Sequence, residues 1–519
     1  MSRRNSRALK TSALVLMTSG LISVAFLNFD VTSVRAAATE NYIVLYKQEI
    51  VPADAASIIT GAGGILTKSY EQIGVVIARS SSASFRKNLL NDSRIEGVAA
   101  TTSFAIRATN GQTAVSGGPS AGDLPNTPAA DNDSLSSLQW DMIQIHTPEA
   151  HQISGGSPAV LVGNIDTGID KDHPDLQPNL DFANSCSCLG GVPDQDPNAW
   201  DDHRGHGTHT AGTIAAAANG IGIVGVAPNV KIAAIKPGND DGFFSPEAVI
   251  CAFMWAATHH IDVANNSYFA DPYLFNCRND PVQRAIWKAA QRSIRYALRQ
   301  GVTVVAALGN QSDDLAHPEV DVISPDFPPG SAQERDVTNA CLVLPVEIPG
   351  IIGVSANAQA LQNPSDPQSG YLKTGYSNYG LGVTQVVAPG GSSTITPVLS
   401  TSPADSGCVD IVDPGPPSST YCYRQGTSMA APHVAGVAAL IISRFGSLDV
   451  QNGKMSPGQV AALIRQTADP QRCPDALPFN YNLRPSGNPQ TCQGGAGNNS
   501  WYGSGQVNAF KAVAGMVGQ

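Results

Sequence analysis

The sequence predicts a doubly wound α/β fold, a mainly parallel sheet with helices on both faces, behind a small α+β unit. Three observations carry this. Beyond residue 138, short unbroken apolar runs alternate with amphipathic stretches, and strands that are apolar on both sides belong inside a parallel sheet covered by helices. Residues 41–106 form a separate apolar unit whose elements run βαββαβ, the ferredoxin-like order. Between the two, residues 108–137 collect Gly, Pro, Ser, Asn and Asp with little apolar content, as an exposed and easily cut linker does.

In chain order, the first unit is expected to have strands at 41–47, 64–70, 74–79 and 95–101, with helices at 53–61 and 84–91. In the second, strands are expected at 160–165, 231–235, 261–265, 303–307 and 351–354. Its helices are expected at 206–218, 246–259, 281–299, 428–445, 457–466 and 507–513. The stretches 312–343 and 402–424 are too long for plain connections and are expected to shape the approach to a site. The domain division that follows is 1–38, 39–107, 108–137 and 138–519.

Composition narrows the class. The chain has 519 residues, 42% hydrophobic and 14% charged, which fits folded rather than disordered protein. A net charge of -11 argues against a nucleic-acid surface, which needs a basic patch. Arg3, Arg4, Arg7 and Lys10 precede an apolar run over 13–29, and small residues at 34–36 and 36–38 offer cleavage points. This reads as a signal peptide over 1–38 and predicts secretion. An uncleaved anchor is the competing reading, weakened by Thr18, Ser19, Gly20 and Ser23 within the run. No other stretch reads as a membrane span, so none is expected after signal cleavage.

Export permits disulfides, and nine cysteines leave at least one thiol free. Cys408 with Cys422 and Cys473 with Cys492 each bracket a Gly/Pro/Ser-rich loop and are the expected pairs, with Cys277–Cys341 a weaker one. Cys251, inside an apolar helical pattern, is expected to be free.

Three segments carry the chemistry. Ile165-Asp166-Thr167-Gly168 ends a buried strand with a carboxylate, Gly205-His206-Gly207-Thr208-His209 opens a helix with an imidazole, and Gly426-Thr427-Ser428-Met429-Ala430 opens another with a hydroxyl. A serine hydroxyl needs a base to become a nucleophile, imidazole is that base near neutrality, and a buried carboxylate fixes its tautomer. Taken singly, Asp166 is an ordinary turn former, Ser428 an ordinary N-cap, and His203, His206 and His209 a set that hints at metal. The three segments together, in the order Asp, His, Ser, leave little room for the bland readings.

On these motifs the chain resembles the subtilisin-like (S8) serine proteases with an N-terminal inhibitory propeptide. His173-Pro174-Asp175-Leu176, Gly225-Val226-Ala227-Pro228 and Ala388-Pro389-Gly390 extend the likeness over roughly 139–513. The resemblance implies an endopeptidase acting on proteins or peptides through an acyl-enzyme, with Asp166, His206 and Ser428 as triad and no cofactor for catalysis. It implies that 39–107 is the propeptide, acting as intramolecular inhibitor and folding aid, and that the maturation site lies in 108–137. Asn310, ending Val305-Ala306-Ala307-Leu308-Gly309-Asn310, would be the oxyanion donor, although Asn310-Gln311-Ser312 is also a glycosylation sequon. Ser267-Tyr268-Phe269-Ala270 replaces the family's Ser-Leu-Gly-Gly substrate edge, so both aromatics should narrow the neighbouring pockets. A structural calcium is implied at Asp175 with Asn219 and the carbonyls of Ala217, Ile221 and Ile223; Ser136 falls where relatives supply a longer side chain, with Asp133 or Gln139 as substitutes. His209 and His433 are expected to be structural. Two alternatives stay open: a dedicated processing protease for one secreted precursor, and an inactive binding scaffold.

Overall fold

The computed structural model describes residues 39–101 and 122–516, apart from 327–329, 367, 405, 407, 409–410, 413–418, 449–452 and 478–480. The signal-peptide segment, residues 102–107 at the end of the first unit and residues 108–121 of the expected linker lie outside the described residues.

The first unit comprises β1 (Glu40–Tyr46), α1 (Ala55–Gly61), β2 (Ile65–Tyr70), β3 (Val75–Ser80), α2 (Phe85–Leu89) and β4 (Ile95–Ala100). Its sheet is antiparallel in the order β2-β3-β1-β4. β1 is apolar without alternation because both of its faces are covered. Tyr42, Val44 and Tyr46 pack with Ile59 and Phe85 of the unit's own helices, while Ile43 and Leu45 face the larger unit.

The larger unit is built on β5 (Leu161–Ile165), β6 (Cys186–Ser187), α3 (His206–Ala215), β7 (Lys231–Lys236), α4 (Pro246–Thr258), β8 (Val263–Asn266), α5 (Pro281–Arg299), β9 (Thr303–Ala307), β10 (Ile352–Leu361), β11 (Tyr371–Lys373) and β12 (Val386–Pro389). The strands form one sheet in the order β11-β10-β9-β8-β5-β7-β6, with β12 also on β10. All its pairings are parallel except β10–β11. Side chains alternate between two layers. Val304 and Ala306 face the side that holds α4 and α5; Val305 and Ala307 face α3, α6 (Thr427–Phe445), α7 (Pro457–Thr467) and α8 (Ala509–Ala514). The fold class is therefore the doubly wound sheet expected from the unbroken apolar strands.

Several expectations need correction. The stretch 402–424 is not plain loop: β13 (Val398–Ser402), β14 (Ile411–Val412) and β15 (Thr420–Arg424) form an antiparallel sheet in the order β13-β15-β14. It lies on α3, with Ser400 Oγ donating to His209 O (2.7 Å) and Thr401 Oγ1 to Thr208 O (2.7 Å). The β-branched and aromatic run Thr420-Tyr421-Cys422-Tyr423 carried that signal. From Gly122 the expected linker is docked: Gly122 N donates to Arg444 O, Ala129 N to His151 O and Leu135 N to Gly222 O. α6 is long and apolar enough to cross a membrane, but 83% of it is buried inside the fold, as a core helix is.

Cys408–Cys422, Cys473–Cys492 and Cys277–Cys341 are bonded as expected. Cys251 is not free: α4 turns it toward Cys188, which it joins across a Cα–Cα distance of 5.6 Å. The free thiol is Cys186, buried two residues before Cys188.

Candidate active site

The carboxyl ends of β5, β8 and β9 and the amino ends of α3 and α6 meet at one edge of the sheet. There they enclose a cavity of about 190 Å³ lined by, among others, His206, Ser267, Tyr268, Phe269, Asn310 and Ser428. Strand ends and helix starts converge at such an edge because parallel strands deliver all their loops to the same side.

Asp166 follows β5 and is fully buried. Its Oδ1 accepts from His206 Nδ1 at 2.7 Å and from Thr167 N at 2.8 Å; Oδ2 accepts weakly from Thr210 Oγ1 at 3.4 Å. Because Nδ1 donates to the carboxylate, the lone pair of a neutral ring lies on Nε2. The backbone around the imidazole is held by Asp202, whose carboxylate accepts from the N–H groups of Arg204, Gly205 and Thr208. Ser428 enters in the first turn of α6. Its Oγ donates to Ser267 O at 2.9 Å, while Ser267 Oγ donates to Ser428 O at 3.0 Å. No hydrogen bond joins Ser428 to His206 among the described residues.

Asn310 is fixed by its acceptor atom. Oδ1 accepts from Thr427 N (2.9 Å) and Thr427 Oγ1 (3.0 Å), and Thr427 Oγ1 accepts in turn from Gly309 N (3.0 Å). The Thr427 N–H is an obligatory donor, so the opposite corner of the amide must be Nδ2. Gly426 has φ 146° and no side chain; the place a Cβ would take is 3.5 Å from Asn310 Nδ2 and 3.6 Å from Ser428 N. Two donors thus converge on one small space that only glycine leaves open.

Asn378, which sequence reasoning missed, clamps this loop from behind. Its Nδ2 donates to Leu308 O and Gln311 Oε1, and its Oδ1 accepts from Gln311 N and Asp313 N, all at 2.9 Å. Lys373, completely buried, braces the turn that leads to Asn378, with Nζ donating to Thr374 O, Ser377 O and Gln490 Oε1, among the rings of Tyr379, Tyr481 and Trp501. Neither residue belongs to a spaced motif; their partners come from remote segments.

Tyr268 stacks on Phe244 with ring centroids 4.2 Å apart and donates Oη to Asn266 Oδ1 (2.9 Å). It is a wall of the cleft, and half-buried Phe269 forms the adjoining rim. His209 and His433 lie buried, away from the cavity lining. His209 Nε2 faces the carbonyls of Val398 and Cys422, and burial holds its pKa well below the ordinary value. His433 bridges Met429 O and Asp141 Oδ2.

The residues expected to hold calcium are gathered beside α3. Asp175 is buried, Oδ2 accepting from Ile223 N and Tyr421 Oη (each 3.1 Å) and Oδ1 having no partner. Burial pushes its pKa up to about 8. The carbonyls of Ala217, Ile221 and Ile223 accept no hydrogen bond from a described residue, and the Ser136 hydroxyl beside the loop is buried and unpartnered. Asp133 and Gln139 are spent on backbone, the first on Asn219 N and Gly220 N, the second on Val224. An oxygen-only donor set with an orphaned carboxylate fits a hard cation of calcium's size.

Comparisons with known proteins agree on the family. The model of the Subtilase family matches residues 157–505. Fervidolysin of Fervidobacterium pennivorans is 30% identical over 66% of this chain, though the match spans 42% of fervidolysin itself. Subtilisin E of Bacillus subtilis is 27% identical over 85% of this chain and 90% of its own length. The solved structure of the epidermin leader peptide processing serine protease from Staphylococcus aureus shares the fold, with a TM-score of 0.61, 21% identity, and coverage of 92% of this chain and 98% of that one.

Proposed function

The chain belongs to the subtilase family of serine endopeptidases, and on that premise we propose that Asp166, His206, Ser428 and Asn310 carry out its catalysis on extended polypeptide. The observation that carries the assignment is the Asp166–His206 hydrogen bond of 2.7 Å behind the cavity that His206 lines with Ser428 and with two donors uncommitted among the described residues, Asn310 Nδ2 and Ser428 N.

Substrate pairs as an added strand along Ser267-Tyr268-Phe269. A substrate N–H bonding to Ser267 O would release the Ser428 hydroxyl, which bonds there at rest, toward His206 Nε2. Ser428 Oγ then attacks the scissile carbonyl as His206 takes its proton. The carbonyl π electrons move to oxygen, where the two donors stabilise the anion. Collapse restores the carbonyl and breaks the C–N bond; the amine leaves with the proton from His206. Water, deprotonated by the same imidazole, hydrolyses the acyl-enzyme.

The protein is secreted on this reading, with residues 39–107 as its inhibitory propeptide and folding aid. Docking of the chain from Gly122 onward supports a maturation cut before that residue. Asp175, Asn219 and the carbonyls of Ala217, Ile221 and Ile223 would hold a structural calcium, which would neutralise the orphaned carboxylate and fix the loop without entering the reaction. A second reading, a dedicated processing protease, is favoured by the Phe244–Tyr268 stack that narrows the cleft and by the fold shared with a leader-peptide-processing enzyme.

The test is covalent labelling by a fluorophosphonate, followed by mass spectrometry. Label on Ser428, lost in Ser428→Ala with the fold retained, is the expected result, and label elsewhere refutes the assignment. Turnover of unfolded casein separates the general endopeptidase from the dedicated one.

A further inference from the structure

Arg204 stands two residues before His206, and β15 delivers Arg424 four residues before Ser428. Arg424 packs against Gly205 and Arg204 against Gly242. The Cβ position of Gly205 lies 3.1 Å from Arg424 Nη2, and Arg204 lays its guanidinium on Gly242, whose Cβ position is 2.6 Å from Nε. Arg204 is exposed and lines the cavity with His206 and Ser267; Arg424 is half-buried, with Nε buried and unpartnered.

Neither guanidinium donates to, or forms an ion pair with, any described residue. Burial, aided by the like charge of Arg204, pulls Arg424 below its ordinary pKa against the opposing charge of Asp202. That carboxylate is already spent: besides its three backbone partners it accepts from the hydroxyls of Thr167 and Thr208. Asp166 is engaged by His206. Asp271, the other acid on the cavity wall, accepts the Phe244 N–H and shares a hydrogen bond with Asp326. Burial first, and Asp326 second, push Asp271 well above the ordinary carboxylate range. Two cations therefore lie near the histidine with no ion-pair partner among the described residues. A partly desolvated guanidinium is costly alone and favourable against a carboxylate, which it grips through two parallel N–H donors.

We propose that Arg204 and Arg424 form a subsite for a carboxylate side chain of the substrate, so that the enzyme prefers polypeptides with Asp or Glu beside the scissile bond. This rests on the protease reading above and narrows its substrate class. The chemistry is recognition only; the bond-making groups are unchanged.

The experiment uses matured full-length enzyme and fluorogenic peptides in which one position, scanned across four residues on either side of the cut, is Asp, Asn or Lys. At one position kcat/KM should favour Asp over Asn by about tenfold or more, the scale of a charge-assisted pair. That ratio should fall below about threefold in both Arg204→Ala and Arg424→Ala. In Arg204→Glu the preference should pass to Lys. The ratio is taken within each enzyme, so a general loss of activity does not imitate the result. A ratio near one at every position overturns the proposal, as does a ratio that survives either substitution. Failure of the protease reading looks different: no peptide is cut at all.

Discussion

Replacing Asn378 by alanine isolates the backing of the oxyanion loop from the donors themselves. The substitution deletes four side-chain hydrogen bonds, two to carbonyl-type oxygens of Leu308 and Gln311 and two from the N–H groups of Gln311 and Asp313. The Leu308 carbonyl and the Gln311 and Asp313 N–H groups then lose that partner, while Gln311 Oε1 still accepts from Asn310 N. At a net worth of roughly 1 kcal/mol for each of the four bonds, stability should fall by about 4 kcal/mol. Catalysis should suffer differently. Gly309 and Asn310 lie inside the released loop, so Asn310 Nδ2 loses alignment without being removed. Complete removal of such a donor costs about 10²–10³ in kcat, a magnitude measured in this same family. Partial misalignment should cost about 10–30-fold, or roughly 1.4–2 kcal/mol, in kcat. KM should change little, because the amide meets charge that exists only in the transition state. The assay is steady-state hydrolysis of a peptide anilide by the single variants Asn378→Ala and Asn310→Ala and by the double variant. If Asn378 acts through Asn310, the two losses overlap and the double variant is little worse than Asn310→Ala. Full additivity, or a kcat untouched while the thermal midpoint falls, would show that the clamp serves only the fold.

The calcium reading predicts that EDTA lowers the thermal midpoint and speeds autolysis, with calcium but not magnesium reversing both. Binding to the folded state alone stabilises by mass action, about 2.7 kcal/mol at a free calcium one hundred times Kd; a calcium-free enzyme indifferent to EDTA would leave the Ala217–Ile223 loop a mere turn. The 39–107 segment supplied in trans should inhibit the mature enzyme at micromolar concentration and speed its refolding. Gly97→Leu should weaken that inhibition by at least about tenfold, because the Cβ position of Gly97 is 2.6 Å from Ala285 Cβ on α5; unaltered inhibition would place the contact elsewhere.

How much of this was readable beforehand depends on where each residue's partners lie. β9 and α6 are legible from local pattern alone, since burial on both faces writes itself into consecutive residues such as Val304, Val305 and Ala306. Asp166, His206, Ser428 and Asn310 were named because each falls in a contiguous motif at an element boundary. The docked stretch after Gly122 was misread for the opposite reason: its bonds go to Arg444, His151 and Gly222, none of them its sequence neighbours. Cys251 failed likewise. Its helical pattern was right, and the pattern of a buried helix does not reveal that the helix face meets Cys188.

Asn378 and the two arginines belong to this second kind. A polar residue that acts by clamping a distant loop has no period and no flanking signature; only the folded contact identifies it. The same logic links the walls of the cleft. The sheet that holds Arg424 was hidden within 402–424, and its packing on α3 brings that side chain to the glycine before His206. A stretch too long for a plain connection thus brings a charged side chain beside the glycine that precedes His206. On the proposed reading the motif residues would fix the reaction, while a residue such as Arg424, which would select the substrate, comes from a segment whose structure the sequence hides.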